Sequence, residues 1–472
     1  MTPTSRSLLA VLMPAMLATV IASDMVNLVV PAIGAEFGAS EAELAWVVTG
    51  FLLAFSVGVP FYGRVSDRVS LRRLFAFALA TYAAGSLICA LAPNLPVLVT
   101  GRIVMGVGGA AIPVLSIIAV TRLMPEDRRG AGIGVLSAST GVGTAAGPAV
   151  GGGIGQLLGW PALFWLMFAV ALALLPAALR VLPGEPPAGE ARFDLLGGVA
   201  LGVGAGTVLF GITQAQVAGL AAPESWVSLT VAVVALALFG WRTMRAAHPF
   251  VPPALFGNRV YRGAVVVAFL AMVVNLGGLV FVPLLVVDVN GLTPGAGALV
   301  MIPAGIAVAV VSPLIGRLAD RVGTRPLVLA GLGVVGVFAL FLSAFTGGPS
   351  VVPAGVGVFG LCVGFIFVLT PLISAAAGAL PAEQVGAGLG ILQGAQFLGA
   401  GTGPALFGVL VTARQASGGE AVNPLYGGRD GAAYSDVFLT MAAVTVVALL
   451  VAARMRPAER TAPAPLRERA RP

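Results

Sequence analysis

Residues Gly134–Gly152 read GVLSASTGVGTAAGPAVGG, and this stretch decides the fold. It sits inside an apolar run from Gly130 to Leu158. That run can cross a bilayer with tilt, since about 20 residues suffice. Ser139, Gly143, Gly147, Gly151 and Gly155 fall four apart, so on a helix they form one stripe. A stripe of hydrogens and one hydroxyl lets another helix approach very closely, as helices in membranes do. Pro148 removes a backbone donor in mid-run and predicts a kink. The stripe is expected to be a packing seam where two moving parts meet.

Composition points the same way. The chain has 472 residues, 58% hydrophobic and 10% charged, with a mean hydropathy of +1.02. Soluble domains carry about 25% charged residues, so this is an all-α polytopic membrane protein. All 26 basic residues are arginine. Without lysine there is no phosphate-binding P-loop and no Schiff base, which argues against nucleotide-driven transport and retinal-type pumping. The single histidine, His248, lies in a loop, so a metalloprotease or Ser–His enzyme lacks its parts. Neither enzymatic activity nor a metal site is expected. Cys89 and Cys362 both fall in apolar runs and make no disulfide framework.

Apolar runs begin near Leu8, Leu44, Phe75, Val97, Gly130 and Pro161. A polar linker, PGEPPAGEARFD, follows at Pro183–Asp194. Two further runs cover Leu195–Gln216 and Trp226–Met244, and a basic connector spans Arg245–Arg262. Six more begin near Gly263, Ala296, Pro326, Val352, Gly386 and Val437, giving fourteen spans. The expected units are a six-helix bundle at 1–182, a linker with an inserted helix pair at 183–262, a second six-helix bundle at 263–455 and a disordered basic tail at 456–472. With the N-terminus inside, the loop arginines fall on the cytoplasmic side except Arg414 and Arg429, and Arg102 lies within a span. The outer loop Gly34–Glu43 carries three glutamates and no arginine. Positive charge marks cytoplasmic loops, so a multi-pass protein of the cytoplasmic membrane with both termini inside is expected. The net charge of +7 is a matter of topology, and no nucleic acid partner is expected.

The chain repeats itself. GRVSDRVSLRR at Gly63–Arg73 returns as GRLADRVGTRP at Gly316–Pro326, an offset of 253 residues. GAGIG at Gly130–Gly134 returns as GAGLG at Gly386–Gly390, an offset of 256. Gly143, Gly147 and Pro148 return as Gly399, Gly403 and Pro404. Both copies start on the same side of the membrane, which makes a parallel repeat.

The spacing of Gly134, Gly143, Gly147, Pro148, Gly151 and Gly152 resembles the fifth-helix signature of drug antiporters in the major facilitator superfamily, at every fixed position. Gly63, Arg64, Asp67, Arg68, Arg72 and Arg73 resemble that superfamily's loop between the second and third helices, with Ser70 where glycine is usual. The second copy supplies Gly316, Arg317, Asp320, Arg321, Gly323 and Arg325. The resemblance covers nearly the whole chain, and fourteen spans resemble the fourteen-helix drug:proton antiporter branch. It implies two six-helix halves rocking about a central cavity, with the two arginine-rich loops as latches. It implies a proton gradient as energy source, no cofactor, and a monomer that meets small amphipathic substrates, protons and lipid.

Asp24 is the one acid well inside a span, at a cost of roughly 2.5–3.5 kcal/mol on insertion scales. Asn27, three residues on, shares its face. SDMVNLVVP partly resembles the branch's first-helix motif: Asn27 and Pro31 match, while the motif's aspartate falls at Ala22. Asp24 is the candidate proton carrier or the partner of a cationic substrate. Arg102 is the one intramembrane base and resembles the fourth-helix arginine of the family, with Met105 where glutamine is common. Counting along each helix places Asp24 and Arg102 in the outer third of the membrane, close enough to pair and to tune Asp24. Cavity candidates are Asn27, Trp46, Phe51, Asn275, Phe367, Gln393 and Gln396; Gln393 and Gln396 equally suit helix–helix hydrogen bonds. The function expected is proton-coupled export. A specific metabolite exporter or uptake symporter of the same fold, and a non-transporting receptor or scaffold, are the alternatives.

Overall fold

Backbone polar groups inside a bilayer must be satisfied within the segment itself, so apolar runs of this length close their own hydrogen bonds as helices. The computed structural model describes residues 3–39, 41–185, 194–218, 222–292, 299–348, 350–381, 384–428 and 431–455, which leaves the expected disordered tail outside the described residues. The side chains of Asp24, Asn27 and Pro148, and the surroundings of Gly152, also lie outside them.

In chain order the first six helices are α1 (Pro3–Phe37), α2 (Glu41–Val65), α3 (Leu71–Ala90), α4 (Leu95–Leu123), α5 (Glu126–Leu158) and α6 (Pro161–Val181). The inserted pair is α7 (Leu195–Ala218) and α8 (Pro223–Arg245). A single turn, α9 (Ala254–Gly257), leads to α10 (Arg259–Asp288) and α11 (Ile302–Val322). The chain continues through α12 (Thr324–Phe345), α13 (Val352–Gly378), α14 (Val385–Ser417) and α15 (Ala432–Ala453). Among the described residues all but α9 are long, roughly consistent with the fourteen expected spans, and twelve are both long and apolar enough to cross a membrane. The other two are the glycine-rich α5 and α7, whose described apolar stretch is Leu196–Val208.

Side chains set the helix starts where the backbone needs them. Asn94 Oδ1 accepts from the Val97 amide at 3.1 Å, and Asn258 Oδ1 accepts from Val260 and Tyr261. These are donors no helix can satisfy internally.

In the first six helices, α4 packs on α2 and α3, α6 on α3, and α5 on α1. In the last six, α10 packs on α14, α13 and α15, while α12 packs on α13 and α15. Glycine permits the tightest approaches: a Cβ at Gly108 would lie 2.4 Å from the Tyr82 nitrogen of α3. The two sets meet along two seams, α2 against α14 and α5 against α11. The α7–α8 hairpin is attached beside one of them, with α7 on both α2 and α14 and α8 packed outside α7.

Candidate functional site

The arginine-rich loops lie at one end of the bundle, and each reaches across a seam. Asp67, between α2 and α3, accepts from the Gly386 amide through Oδ1 and the Ala387 amide through Oδ2, both at 3.0 Å. These residues open α14, so Asp67 caps a helix of the other set in trans. Its counterpart Asp320, at the end of α11, accepts from the Gly130 amide at 2.9 Å and the Ala131 amide at 3.1 Å in α5. Glycine is required beside both carboxylates. A Cβ at Gly386 would lie 2.3 Å from Asp67 Oδ1, and one at Gly130 would lie 2.4 Å from Asp320 Oδ1. Gly63 and Gly316 serve the same approach, their added Cβ meeting the Gly386 carbonyl at 2.6 Å and the Gly130 carbonyl at 2.1 Å.

The two loops differ in their arginines. Arg122, in the last turn of α4, donates to Asp67 Oδ1 at 2.6 Å and to the Ser66 carbonyl at 2.7 Å. Arg64 stands 3.6 Å from Asp67 Oδ2. Burial pushes the Asp67 carboxyl above the usual carboxylate range, against the pull of Arg122, the Ala387 amide, Arg64 and the Gly386 amide. Asp320 has no ion pair among the described residues. Arg68 is half-buried and feels the charges of Arg64 and Asp67, while the other loop arginines act elsewhere or face outward. Arg72 Nε donates to the Leu182 carbonyl at 2.8 Å, Arg325 donates to the Ala453 carbonyl at 2.7 Å, and Arg73, Arg317 and Arg321 are exposed. Arg122 is the partner of Asp67 that sequence reasoning missed; its signal is a lone arginine in the last turn of a span.

The glycine helix α5 turns two faces to two partners. Gly134 and Gly141 face α11, where an added Cβ would meet the Ser312 carbonyl at 2.4 Å and Val308 at 2.3 Å. Gly143, Gly151 and Gly155 face α1 instead, against Val20, the Met25 backbone and Val29. The four-spaced stripe is thus mostly a seam within the first six helices. The inter-set seam is a different face, Gly130–Gly134–Gly141, because at about 100° per residue Gly134 and Gly143 lie on opposite sides of the helix. Gly147 is buried in the same helix.

Arg102 is fully buried in α4. Its Nε donates to the Val47 carbonyl of α2 at 2.9 Å, Nη1 lies 3.7 Å from the Met105 sulfur, and the guanidinium stacks 4.3 Å from the Phe51 ring centroid. The sulfur therefore stands where the family's glutamine would. Asp24 lies on α1 one residue before Met25, whose backbone abuts Gly151; its side chain, with that of Asn27, is outside the described residues.

The cavity candidates disperse. Phe51 is packed under Arg102 and against Phe55, which meets Phe397 of α14 edge-on at 4.8 Å. Trp46 is 41% exposed, stacks on Phe210 of α7, and lines a lateral apolar groove of about 630 Å³ with Leu53, Phe61, Phe77 and Ile103. That groove runs along α2, α3 and α4 on the outer wall of the bundle, so Trp46 is placed there rather than in a central cavity. Phe367 packs against Gly331 of α12. Gln393 and Gln396 are buried in α14, and the Gln396 amide nitrogen has no hydrogen-bond partner among the described residues. Asn275 is half-buried in α10. Among the described residues a polar contact joins the two sets in the interior: Thr370 of α13 and Ser137 of α5, with hydroxyl oxygens 3.3 Å apart.

Comparison with known proteins matches this arrangement. The model of the Major Facilitator Superfamily matches residues 12–404, and again 306–472. The multidrug resistance protein Stp of Mycobacterium tuberculosis (strain CDC 1551 / Oshkosh) is 31% identical over 391 residues, 82% of this chain and 72% of that protein. The lincomycin resistance protein LmrB of Listeria monocytogenes is 27% identical over 379 residues, 80% of each. Two solved structures share the fold. The human organic anion transporter MFSD10 (TETRAN) has a TM-score of 0.69 at 15% identity, covering 96% of this chain and 100% of that one. The proton:xylose symporter XylE bound to 6-bromo-6-deoxy-D-glucose has a TM-score of 0.66 at 17% identity, covering 94% of each.

Proposed function

Given that this chain belongs to the Major Facilitator Superfamily, in the branch of the drug exporters, we propose that it exports small amphipathic compounds in exchange for protons by alternating access. It is a multi-pass membrane transporter. The observation that carries the reading is the pair of carboxylates, Asp67 and Asp320, each bound to two amides of the opposite six-helix set. Such bonds form only when the seams are shut at that end, so they hold one state and must break in the other. The arginine-rich end is the cytoplasmic one by the positive-inside rule, which makes this conformation closed to the cytoplasm. The two six-helix halves, 1–182 and 263–455, would rock about a cavity between them.

The energy comes from protons. Asp24 takes one up from outside and releases it inside, and Arg102 biases that aspartate toward its charged form. A ligand or proton shifts the two states only by its differential affinity for them. The pair must therefore be arranged differently when the cytoplasmic end is open. Export is favoured over uptake by the Gly134–Gly152 signature, since the fold alone also accommodates a symporter. No cofactor takes part, and the transporter works as a monomer.

The test is a panel of drug susceptibilities in a pump-deficient host expressing the chain. The account expects raised tolerance to at least one amphipathic compound, abolished by Asp24→Asn and by a protonophore. Unchanged tolerance across the panel, with the protein present in the membrane, would reject the export reading.

A further inference from the structure

The lateral groove on the outer wall has no part in the export reading. Its long wall is one stripe of α2, running from Trp46 through Gly50, Leu53 and Val57 to Phe61. Those residues recur at intervals of three or four and so share a face. Phe77 of α3 and Ile103 and Val107 of α4 border one side and are exposed, so the groove opens where a membrane protein meets lipid. The inserted hairpin stands along the other side. Trp46 stacks on Phe210 of α7 at 5.3 Å, and Val57 would meet a Cβ on Gly202 at 2.6 Å and one on Gly206 at 3.3 Å. Phe61 stacks on Phe250 of the connector at 5.1 Å. Arg242 ties the hairpin base to Asp194 at 2.7 Å.

The groove does not lead inward. On the opposite face of α2, Phe51, Phe55 and Val59 are buried, and Phe55 meets Phe397 of α14. An occupant therefore stays against the outer wall. Of the residues that line the groove, only Trp46 and Tyr62 carry a polar side-chain atom. Tyr62 is 8% exposed, and its hydroxyl has no hydrogen-bond partner among the described residues. A buried hydroxyl without a partner is costly, and such groups normally have one. The depth of this one is telling. Tyr62 is three residues from the inner end of α2, about 4.5 Å of helix rise, where hydrocarbon gives way to headgroups. From Tyr62 out to Leu53 is nine residues, about 14 Å at the same rise. One leaflet's half of the hydrocarbon core is about 15 Å deep.

We propose that this groove is a binding site for one inner-leaflet phospholipid, held with an acyl chain along α2 between α3 and the inserted hairpin and with an ester carbonyl accepting from the Tyr62 hydroxyl. A phospholipid carries both features at the right separation: an apolar chain one leaflet long, and an acceptor at its headgroup end. The groove supplies the complement, an apolar trough one leaflet deep with a lone donor at its inner end. Gly50 and Gly58 keep the trough smooth, and the Tyr62 ring lies 3.7 Å from where a Cβ on Gly58 would stand. The hairpin thereby gains a role, as the wall that turns an open helix face into a site. Only the membrane-spanning fold is needed for this, so the lipid is bound whether or not the chain exports drugs.

The test compares two lipids that differ in the acceptor. The full chain in detergent is given an equimolar mixture of palmitoyl-oleoyl phosphatidylglycerol and its diether analogue, which has the same headgroup and similar chains but no ester carbonyl. Native mass spectrometry then identifies the lipid that stays on the protein as loosely held lipids are stripped away. Wild type should keep one lipid longest and favour the ester form several-fold. Tyr62→Phe, which removes only the hydroxyl, should hold the two forms equally, so the preference and the hydroxyl vanish together. Val107→Trp, which fills the groove from α4, should lower retention of both forms, while Val447→Trp, at an exposed site on α15, should lower neither. An ester preference absent from wild type, or surviving in Tyr62→Phe, would overturn the bond to Tyr62. Retention unchanged by Val107→Trp would overturn the groove as the site. A retained adduct with the mass of an isoprenoid quinone in place of phosphatidylglycerol would overturn the phospholipid assignment.

Discussion

Arg122 Nη2 donates to Asp67 Oδ1 across 2.6 Å, while the corresponding Asp320 has no ion pair among the described residues. The two crossings therefore share their pair of amide bonds and differ in ionic support. Removing one partner of a largely buried charged hydrogen bond costs about 1–3 kcal/mol. Arg122→Ala should lower thermal stability by that order and raise thiol labelling of a cysteine at Ser66. Arg317→Ala, at an exposed site, should change neither. Equal effects of the two substitutions would mean that Arg122 merely sets topology.

The two faces of α5 separate by substitution. A methyl at Gly134 collides with the Ser312 carbonyl of α11, whereas one at Gly151 collides with the Met25 backbone of α1. Gly134→Ala should shift the protein toward the cytoplasm-open state with little loss of melting temperature, because the strain lies between the halves. Gly151→Ala should lower the melting temperature, because the strain lies within one half and persists in both states. Gly153→Ala, with open space around its Cβ, should be neutral. Accessibility labelling and thermal unfolding of the three variants decide it.

Arg102 is held by geometry that a lysine cannot copy. Its Nε points at the Val47 carbonyl while its plane lies over Phe51, and an ammonium offers neither the fork nor the flat face. Arg102→Lys should abolish most efflux despite keeping the charge. Phe51→Leu should cost roughly 0.5–2 kcal/mol of stability, the range for a cation over a ring. Full efflux by Arg102→Lys would reduce Arg102 to a bare charge.

The hairpin base has a defined pH response. The hydrogen bond from Arg242 holds the Asp194 carboxyl below the usual carboxylate range. A depressed carboxylate contributes stability that is present above its ordinary pKa of about 3.9 and is lost as pH falls through the depressed value. Protection of the Asp194 amide, whose N–H bonds the His248 carbonyl, relative to its unstructured exchange rate at each pH should be constant from neutral to mildly acidic pH and fall only under strong acid. Loss of protection between neutral and mildly acidic pH would contradict the assignment.

Much of this was legible in the chain. Hydropathy gave the long helices, and the 253-residue offset between Asp67 and Asp320 marked both loops that reach across the seams. What escaped was neighbourhood. Helical periodicity tells which residues share a face, yet not which helix that face meets. Hence the stripe at Gly143 and Gly151 belongs to α1, and the halves meet at Gly130, Gly134 and Gly141. Trp46 reads equally well as cavity wall or outer wall, and only the position of α7 places it in the lateral groove. Arg122 escaped because its partner is 55 residues away in sequence, and an arginine in the last turn of a span reads equally well as a mark of topology.

Proton coupling through Asp24 is the central claim, and drug-driven proton movement in proteoliposomes tests it most directly. Wild type with an imposed inward proton gradient should expel a transported dye uphill and move protons the opposite way. Asp24→Asn, nearly isosteric and unable to titrate, should insert normally, carry no proton current, and retain at most downhill dye exchange. Equal proton flux in wild type and Asp24→Asn would contradict the account and move attention to Asp288, which accepts from Tyr434, and Asp436, held by Arg414 at 2.5 Å.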